Sequence, residues 1–126
     1  MNPDDLLYTK QHEWVRIAGD TGTVGITDHA QDELGDVVFV ELPKAGDKVV
    51  AGKPMGTIES VKAVSELFCP VTGRITEVNA SLVDAPETVN EDPYGKGWLV
   101  RLSIDSKPSE GLLSAKQYEE YIGKGN

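Results

Sequence analysis

The sequence predicts a mainly β fold, in which two antiparallel sheets pack as a flattened barrel or sandwich with short helices and a carboxy-terminal helix. Thirteen glycines and seven prolines separate short β-branched segments along the chain, a pattern typical of many short strands joined by turns. Two similar stretches, residues 46–54 and 70–75, each combine turn and strand signals on either side of Lys62. This duplication favours two similar sheets packed face to face.

Eight strands are predicted from β-branched segments that lie between turn residues. Their expected positions are Glu13 to Ala18, Thr23 to Ile26, Val37 to Leu42, Lys48 to Val50, Met55 to Val61, Ala63 to Phe68, Gly73 to Val78 and Leu99 to Ile104.

Two helices are predicted, and both carry recognisable capping signals. The first is expected over Asp28 to Leu34, with Thr27 as its cap and Gly35 at its end. The second lies near the carboxy terminus, where Ser114 and Gln117 have the spacing of a capping box. One face of this second helix can dock on the sheet through Tyr118, Tyr121 and Ile122.

Length and charge narrow the possible functions. A chain of 126 residues is expected to form one domain over residues 1–126. Its net charge of −9 disfavours nucleic acid and anionic membrane surfaces as partners. Its apolar runs are far shorter than the roughly 20 residues that a membrane-spanning helix needs. A single cysteine, Cys69, leaves any redox chemistry to something other than paired cysteines.

The amino terminus shows no targeting signal. Residues 1–5 are acidic, whereas a secretory signal or an Arg-rich transit peptide needs positive charge there. We therefore expect the protein to be located in the bacterial cytoplasm. The alternative is the mitochondrial matrix, if a transit peptide has been removed.

Residues 59–66 form an octet that reads nearly the same in both directions, which predicts a hairpin. A two-residue turn at Lys62 and Ala63 places Glu59 opposite Glu66. Like charges in that position are unfavourable, so either the register slips or the carboxylates serve a function. The other expected pairs are Val61 with Val64 and Ser60 with Ser65.

The sequence flanking Lys62 resembles the lipoyl and biotinyl carrier domains, whose modified lysine sits at a protruding hairpin. The resemblance narrows to the glycine cleavage H-proteins when five stretches are taken together. These stretches are His12-Glu13-Trp14, residues 24–31, Glu59-Ser60-Val61-Lys62-Ala63, residues 93–98 and Leu112-Leu113-Ser114-Ala115. They are distributed over most of the chain.

The resemblance implies that lipoic acid is attached to Lys62 and that the protein is a carrier without catalytic activity. The lipoyl arm then takes an aminomethyl group from a pyridoxal-phosphate-dependent glycine decarboxylase to a folate-dependent aminomethyltransferase. A dihydrolipoyl dehydrogenase reoxidises it, and lipoate-attaching enzymes are further partners. The carrier is expected to be a monomer.

The resemblance also implies a cleft that shelters the loaded arm. It indicates Glu13 and Glu66 as the residues that bind the ammonium end of the arm. The geometry of the octet independently places Glu66 near the hairpin tip. Members of the family often have Asp at this position, and the longer Glu side chain differs in reach. A solvent-facing strand charge is the alternative interpretation for Glu13.

Other functions for Lys62 remain open at this stage. An H-like protein could relay lipoyl groups to other complexes with the same lysine and fold. A Schiff-base lysine enzyme would need a depressed lysine pKa, whereas Glu59 and Glu66 favour the charged amine. Biotin carriers usually flank the lysine with methionine, whereas Lys62 is flanked by Val61 and Ala63. A plain β-domain would leave Lys62 unmodified.

No metal site is predicted. His12 and His29 have no cysteine or carboxylate at zinc-ligand spacing. We expect the His12 ring to pack or hydrogen-bond beside Trp14, whereas the His29 ring in the first helix can either contact neighbours or face water. The aromatic loop over residues 93–98 is expected to have a structural role.

Overall fold

A computed structural model describes residues 2–105 and 112–123. The strands are β1 (Leu7–Tyr8), β2 (Glu13–Ala18), β3 (Thr21–Ile26), β4 (Val37–Glu41), β5 (Lys48–Val49), β6 (Pro54–Ser60), β7 (Val64–Phe68), β8 (Gly73–Val78) and β9 (Val100–Ile104). The helices are α1 (Asp28–Leu34), α2 (Ser81–Asp84), α3 (Thr88–Glu91) and α4 (Ala115–Gly123).

The strands form two antiparallel sheets. The larger sheet has the order β1-β2-β3-β9-β8-β5, and the smaller has the order β4-β6-β7. Apolar side chains from both sheets make one buried cluster, which includes Val15, Ile58, Leu67 and Leu102. The predicted sandwich of two antiparallel sheets is therefore confirmed. No helix in the described part of the chain is long and apolar enough to cross a membrane.

The two sheets are not alike, and the expectation of similar sheets is wrong. The repeated stretches on either side of Lys62 contribute β5 and β8, and these strands pair with each other inside the larger sheet. Backbone hydrogen bonds from Gly46 N–H to Ile75 O (2.7 Å) and from Ile75 N–H to Asp47 O (2.8 Å) extend this pairing. A repeat in sequence indicates that two segments are strands, but it does not show which strands they pair with, because pairing depends on contacts between residues far apart in the chain.

Both predicted helices begin as their capping signals indicate. Thr27 Oγ1 accepts the Ala30 N–H at 3.1 Å, and Gly35 ends α1 with a φ of +80°. At α4, Ser114 N–H donates to Gln117 Oε1 at 2.9 Å, and Gln117 N–H donates to Ser114 Oγ at 3.2 Å. This reciprocal pair is a capping box.

Helix α4 docks on the larger sheet through the predicted aromatic face. Tyr8 and Tyr118 are fully buried, and their rings stack with centroids 4.9 Å apart. Trp14 is also fully buried, and its indole N–H donates to Pro93 O at 3.0 Å. A second apolar cluster thus closes one end of the sandwich.

The aromatic loop over residues 93–98 holds this end together. Asn79 Nδ2 donates to Lys96 O at 2.9 Å and to Trp98 O at 2.7 Å. The Tyr94 hydroxyl donates to Asn2 Oδ1 at 2.7 Å and accepts the Asp28 N–H at 3.0 Å. These contacts give the loop a structural role.

Gly73→Ala is expected to lower the free energy of unfolding by about 1–3 kcal/mol. A Cβ at Gly73 would collide with the Ser103 backbone carbonyl, which the β8–β9 ladder holds in place. Gly22→Ala is the control, because its Cβ would meet only side-chain ends at 3.2–3.4 Å. Urea unfolding should place this control within about 1 kcal/mol of the wild type. Equal losses in both variants would contradict the steric account.

Candidate functional site

Lys62 lies exposed at the tip of the β6–β7 hairpin, as predicted. The predicted register of this hairpin is wrong, because Glu59 is opposite Val64 and Glu66 is opposite Thr57. The Ser60 N–H donates to Ala63 O at 2.8 Å and closes the turn over residues 61–62. The two glutamates therefore do not face each other across the strands.

The Ser60 side chain explains this register. Its hydroxyl oxygen accepts the backbone N–H of Ala63 at 3.1 Å and that of Lys62 at 3.3 Å. The Val61 N–H donates to Asp36 O at 3.0 Å and braces the tip from outside the hairpin. The turn contains neither an Asn-Gly pair nor a residue at positive φ, and its backbone donors are satisfied by Ser60 and Asp36.

A cleft of about 330 Å³ begins beside the hairpin tip. It lies between α1, β7 and the segment 11–13 that leads into β2. Its walls are partly apolar, with Ile26, Ala30, Leu34, Ile58 and Leu67, and its polar lining includes Gln11, His12, Glu13, Glu33, Ser65 and Glu66.

Glu13 is the buried charge of this cleft, with a relative exposure of only 2%. Its Oε1 accepts the Thr9 hydroxyl at 2.9 Å, and its Oε2 accepts the Phe68 N–H at 3.1 Å. Burial raises the pKa of Glu13 to about 7, against the opposing effect of these two hydrogen bonds. The carboxyl therefore changes charge near neutral pH, and the alternative of a solvent-facing strand charge is wrong.

Two further carboxylates line the cleft from exposed positions. Glu66 lies on β7, on the wall opposite α1. Glu33 lies on α1, and its Oε1 is 3.9 Å from His29 Nε2. Sequence reasoning missed Glu33, although its helical spacing from Ala30 and Leu34 was a usable signal. The structure thus brings Glu13 and Glu66 into one cleft and adds Glu33.

His12 connects the rim of the cleft to α4. It adopts a φ of +69°, and its Nδ1 lies 2.7 Å from the Tyr118 hydroxyl, which in turn lies 2.8 Å from Thr27 Oγ1. The rings of His12 and His29 are 4.7 Å apart. Burial and the neighbouring His29 lower the pKa of His12, which favours its neutral form. Among the described residues, no three His, Cys, Asp or Glu side chains group as a metal site.

Comparisons with known proteins agree with this architecture. The family model for the glycine cleavage H-protein matches residues 6–125. A glycine cleavage system H protein of Herpetosiphon aurantiacus is 63% identical over 120 residues, which are 95% of this chain and 92% of the relative. One from Rubrobacter xylanophilus is 65% identical over 116 residues, which are 92% of this chain and 90% of the relative.

A solved structure supports the same assignment. The crystal structure of a glycine cleavage system H protein from Mycobacterium marinum has a TM-score of 0.88 and 45% sequence identity, and the match covers 98% of each chain. This chain therefore belongs to the glycine cleavage H-protein family.

Glu13→Gln is expected to remove a pH-dependent loss of stability. The folded-state pKa is about 7, above the ordinary value of 4.5. The protonated carboxyl therefore stabilises the fold at low pH, and this contribution is lost as pH rises through 7. Between about pH 5.5 and about pH 8.5, the wild type should lose about 2 kcal/mol of unfolding free energy that the variant retains.

Urea unfolding of both proteins at the two pH values tests this prediction. The Gln amide can accept from Phe68 N–H and donate to Thr9 Oγ1, so the hydrogen bonds at the site can be kept. Parallel losses of stability in wild type and variant would show that Glu13 is not the titrating group.

Proposed function

We propose that this protein is a lipoyl-lysine carrier of glycine cleavage, with lipoic acid joined through an amide to Lys62 Nζ. The observation that carries the proposal is an exposed lysine at a braced hairpin tip beside a cleft that contains a buried carboxyl. A Schiff-base lysine enzyme fits less well, because such a lysine needs burial or a neighbouring cation to depress its pKa. Lys62 is exposed, and its nearest charged neighbours in the sequence, Glu59 and Glu66, are acidic rather than basic.

The cleft suits a lipoyl chain in shape and polarity. Its wall along β7 runs from Ala63 to Leu67, about 13 Å at the rise of a strand, and starts at the residue after Lys62. The hydrocarbon part of the arm can lie against Ile26, Ile58 and Leu34. When bound, the group would supply the redox-active pair of sulfur atoms that the single cysteine of this chain cannot provide.

Glu13 and Glu66 are proposed to hold the ammonium end of the aminomethyl cargo. An ammonium beside Glu13 would favour the ionised carboxylate and offset the desolvation that raises its pKa. Glu13 would then release a proton to solvent as the cargo settles. Glu66 is exposed, so solvent screens its charge and its contribution is smaller.

The protein's own contribution is placement and protection rather than bond making. The apolar walls exclude water from the carbon between the sulfur and the nitrogen of the cargo, and so slow its hydrolysis. The proposed partners are a pyridoxal-phosphate-dependent glycine decarboxylase, a folate-dependent aminomethyltransferase, a dihydrolipoyl dehydrogenase and lipoate-attaching enzymes. The net charge of −9, which becomes −10 after acylation of Lys62, steers the carrier toward basic surfaces on them.

Intact mass and peptide mapping test the attachment site. After expression in a lipoate-supplied host, the wild type should carry one lipoyl group, on Lys62. Lys62→Arg keeps the positive charge but cannot be acylated by the ligase, and should carry none. A folded wild type that stays unmodified, or is modified at another lysine, would contradict the proposal.

Glu13→Gln is expected to speed loss of the aminomethyl group from the loaded protein by roughly tenfold, the scale of a lost charge-assisted hydrogen bond. Glu66→Gln should speed it by no more than about threefold, because the pair is exposed. The release of formaldehyde from each loaded variant measures this rate.

Glu41→Gln is the matched control for both variants. Glu41 is an exposed carboxylate in the same sheet as Glu66. It lies on β4 and Glu66 lies on β7, and both are opposite Thr57 of the central strand β6. Glu41 does not line the cleft. It should behave as the wild type. Release from Glu13→Gln at the rate of this control would remove Glu13 from the proposed role.

A further inference from the structure

The stem of Lys62 lies against the backbone of Gly35. A Cβ added to Gly35 would be 3.3 Å from Lys62 Cε, 3.8 Å from Cδ and 3.9 Å from Nζ. The first distance is shorter than ordinary van der Waals contact, so the stem would have to shift by a few tenths of an ångström. Gly35 therefore leaves room that a side chain would fill.

The turn that contains Gly35 is fixed to its surroundings. Asn90 Nδ2 donates to Gly35 O at 2.9 Å, and Asn90 Oδ1 accepts the Val37 N–H at 2.8 Å. Between these residues, Asp36 O accepts the Val61 N–H at the hairpin tip. One amide side chain and one backbone bond thus hold the turn and the tip in a defined relation.

Gly35 and Lys62 each adjoin one wall of the cleft in sequence. Gly35 directly follows Leu34, which lines the wall formed by α1, and Lys62 directly precedes Ala63, which lines the facing wall. The lysine stem beside Gly35 therefore lies next to the chain positions at which both walls of the cleft begin.

We propose that Gly35 is a positioning residue that provides the bare backbone across which the modified Lys62 arm enters the cleft. This inference rests on the proposed carrier function. Glycine is needed here for two separable reasons: a φ of +80°, which strains other residues, and free space beneath the lysine stem. The free space is the property that affects the position of the arm, because a side chain at residue 35 would displace the lysine stem.

Gly35→Ala tests the proposal against Gly52→Ala as a matched control. Gly52 has a φ of +81°, and a Cβ there would meet nothing within 4 Å. Both variants therefore place a side chain at a φ near +80°, and only Gly35→Ala also places a methyl group beneath Lys62. Three quantities are measured for each protein: lipoylation by intact mass, the urea midpoint, and the half-life of the aminomethyl cargo in the absence of partner enzymes.

Both variants should be fully lipoylated, and both should have a lower urea midpoint than the wild type, because each places a side chain at a positive φ. The half-life of the cargo should fall by about three- to tenfold in Gly35→Ala, because a small misplacement weakens positioning, and it should stay at the wild-type value in Gly52→Ala. Equal half-lives in the two variants would overturn the proposal. If Gly35→Ala does not fold, Asn90→Asp replaces it, since it loses the donor to Gly35 O and should shorten the half-life in the same way.

The wild type separates this inference from the carrier function itself. If the wild type is lipoylated on Lys62 and holds its cargo longer than the urea-unfolded protein, the carrier function stands, and the two glycine variants decide the role of Gly35. If the wild type gains no lipoyl group, or loses its cargo as fast as the unfolded chain, the carrier function fails and the role of Gly35 fails with it.

Discussion

The hydrogen bond from Phe68 N–H to Glu13 Oε2 is the interaction on which the rest of the site depends. It joins β7 of the smaller sheet to β2 of the larger sheet at the cleft. A buried carboxylate is costly in an apolar interior, and here two donors, the Phe68 amide and the Thr9 hydroxyl, offset part of that cost. The same bond that ties the sheets together therefore holds a titratable group within the cleft.

The site has an exposed end at Lys62 and a buried end at Glu13. At the exposed end, Ser60 and Asp36 satisfy the backbone donors of the hairpin, so that Lys62 protrudes from a rigid tip. At the buried end, water is scarce and an electrostatic contact to Glu13 is strong. Glu33 and Glu66 line the cleft between these two ends, but their side chains are exposed, so solvent screens their charges. A carrier needs both ends, because its lysine must be reachable by several enzymes while its cargo is kept from water.

Local signals predicted a large part of the fold. The Thr27 cap, the Gly35 stop and the Ser114–Gln117 capping box each depend on residues within one turn, and the structure contains all of them. The strands were predicted to within a few residues, because β-branched segments are bounded by turn residues. Strand β1, with two residues, and helices α2 and α3, with four each, are too short to give a periodic signal.

The parts that could not be predicted depend on long-range contacts. The Ser60 hydroxyl makes a local contribution to the hairpin register, but the Asp36 carbonyl that braces the tip comes from a turn more than twenty residues earlier in the chain. The pairing of β5 with β8, which makes the sheets unequal, is equally distant in sequence. The sequence and its family resemblance indicated Glu13 as a site residue, but its burial follows from the packing of β2 against β7.

The most direct test is a ¹³C NMR titration of the Glu13 side-chain carboxyl in the lipoylated protein, with and without the aminomethyl cargo. The account predicts a titration midpoint near 7 without cargo, as burial requires, and a midpoint at least about one unit lower with cargo, because the ammonium favours the ionised form. An unchanged midpoint would contradict the account, since it would show that the cargo does not reach the buried carboxyl.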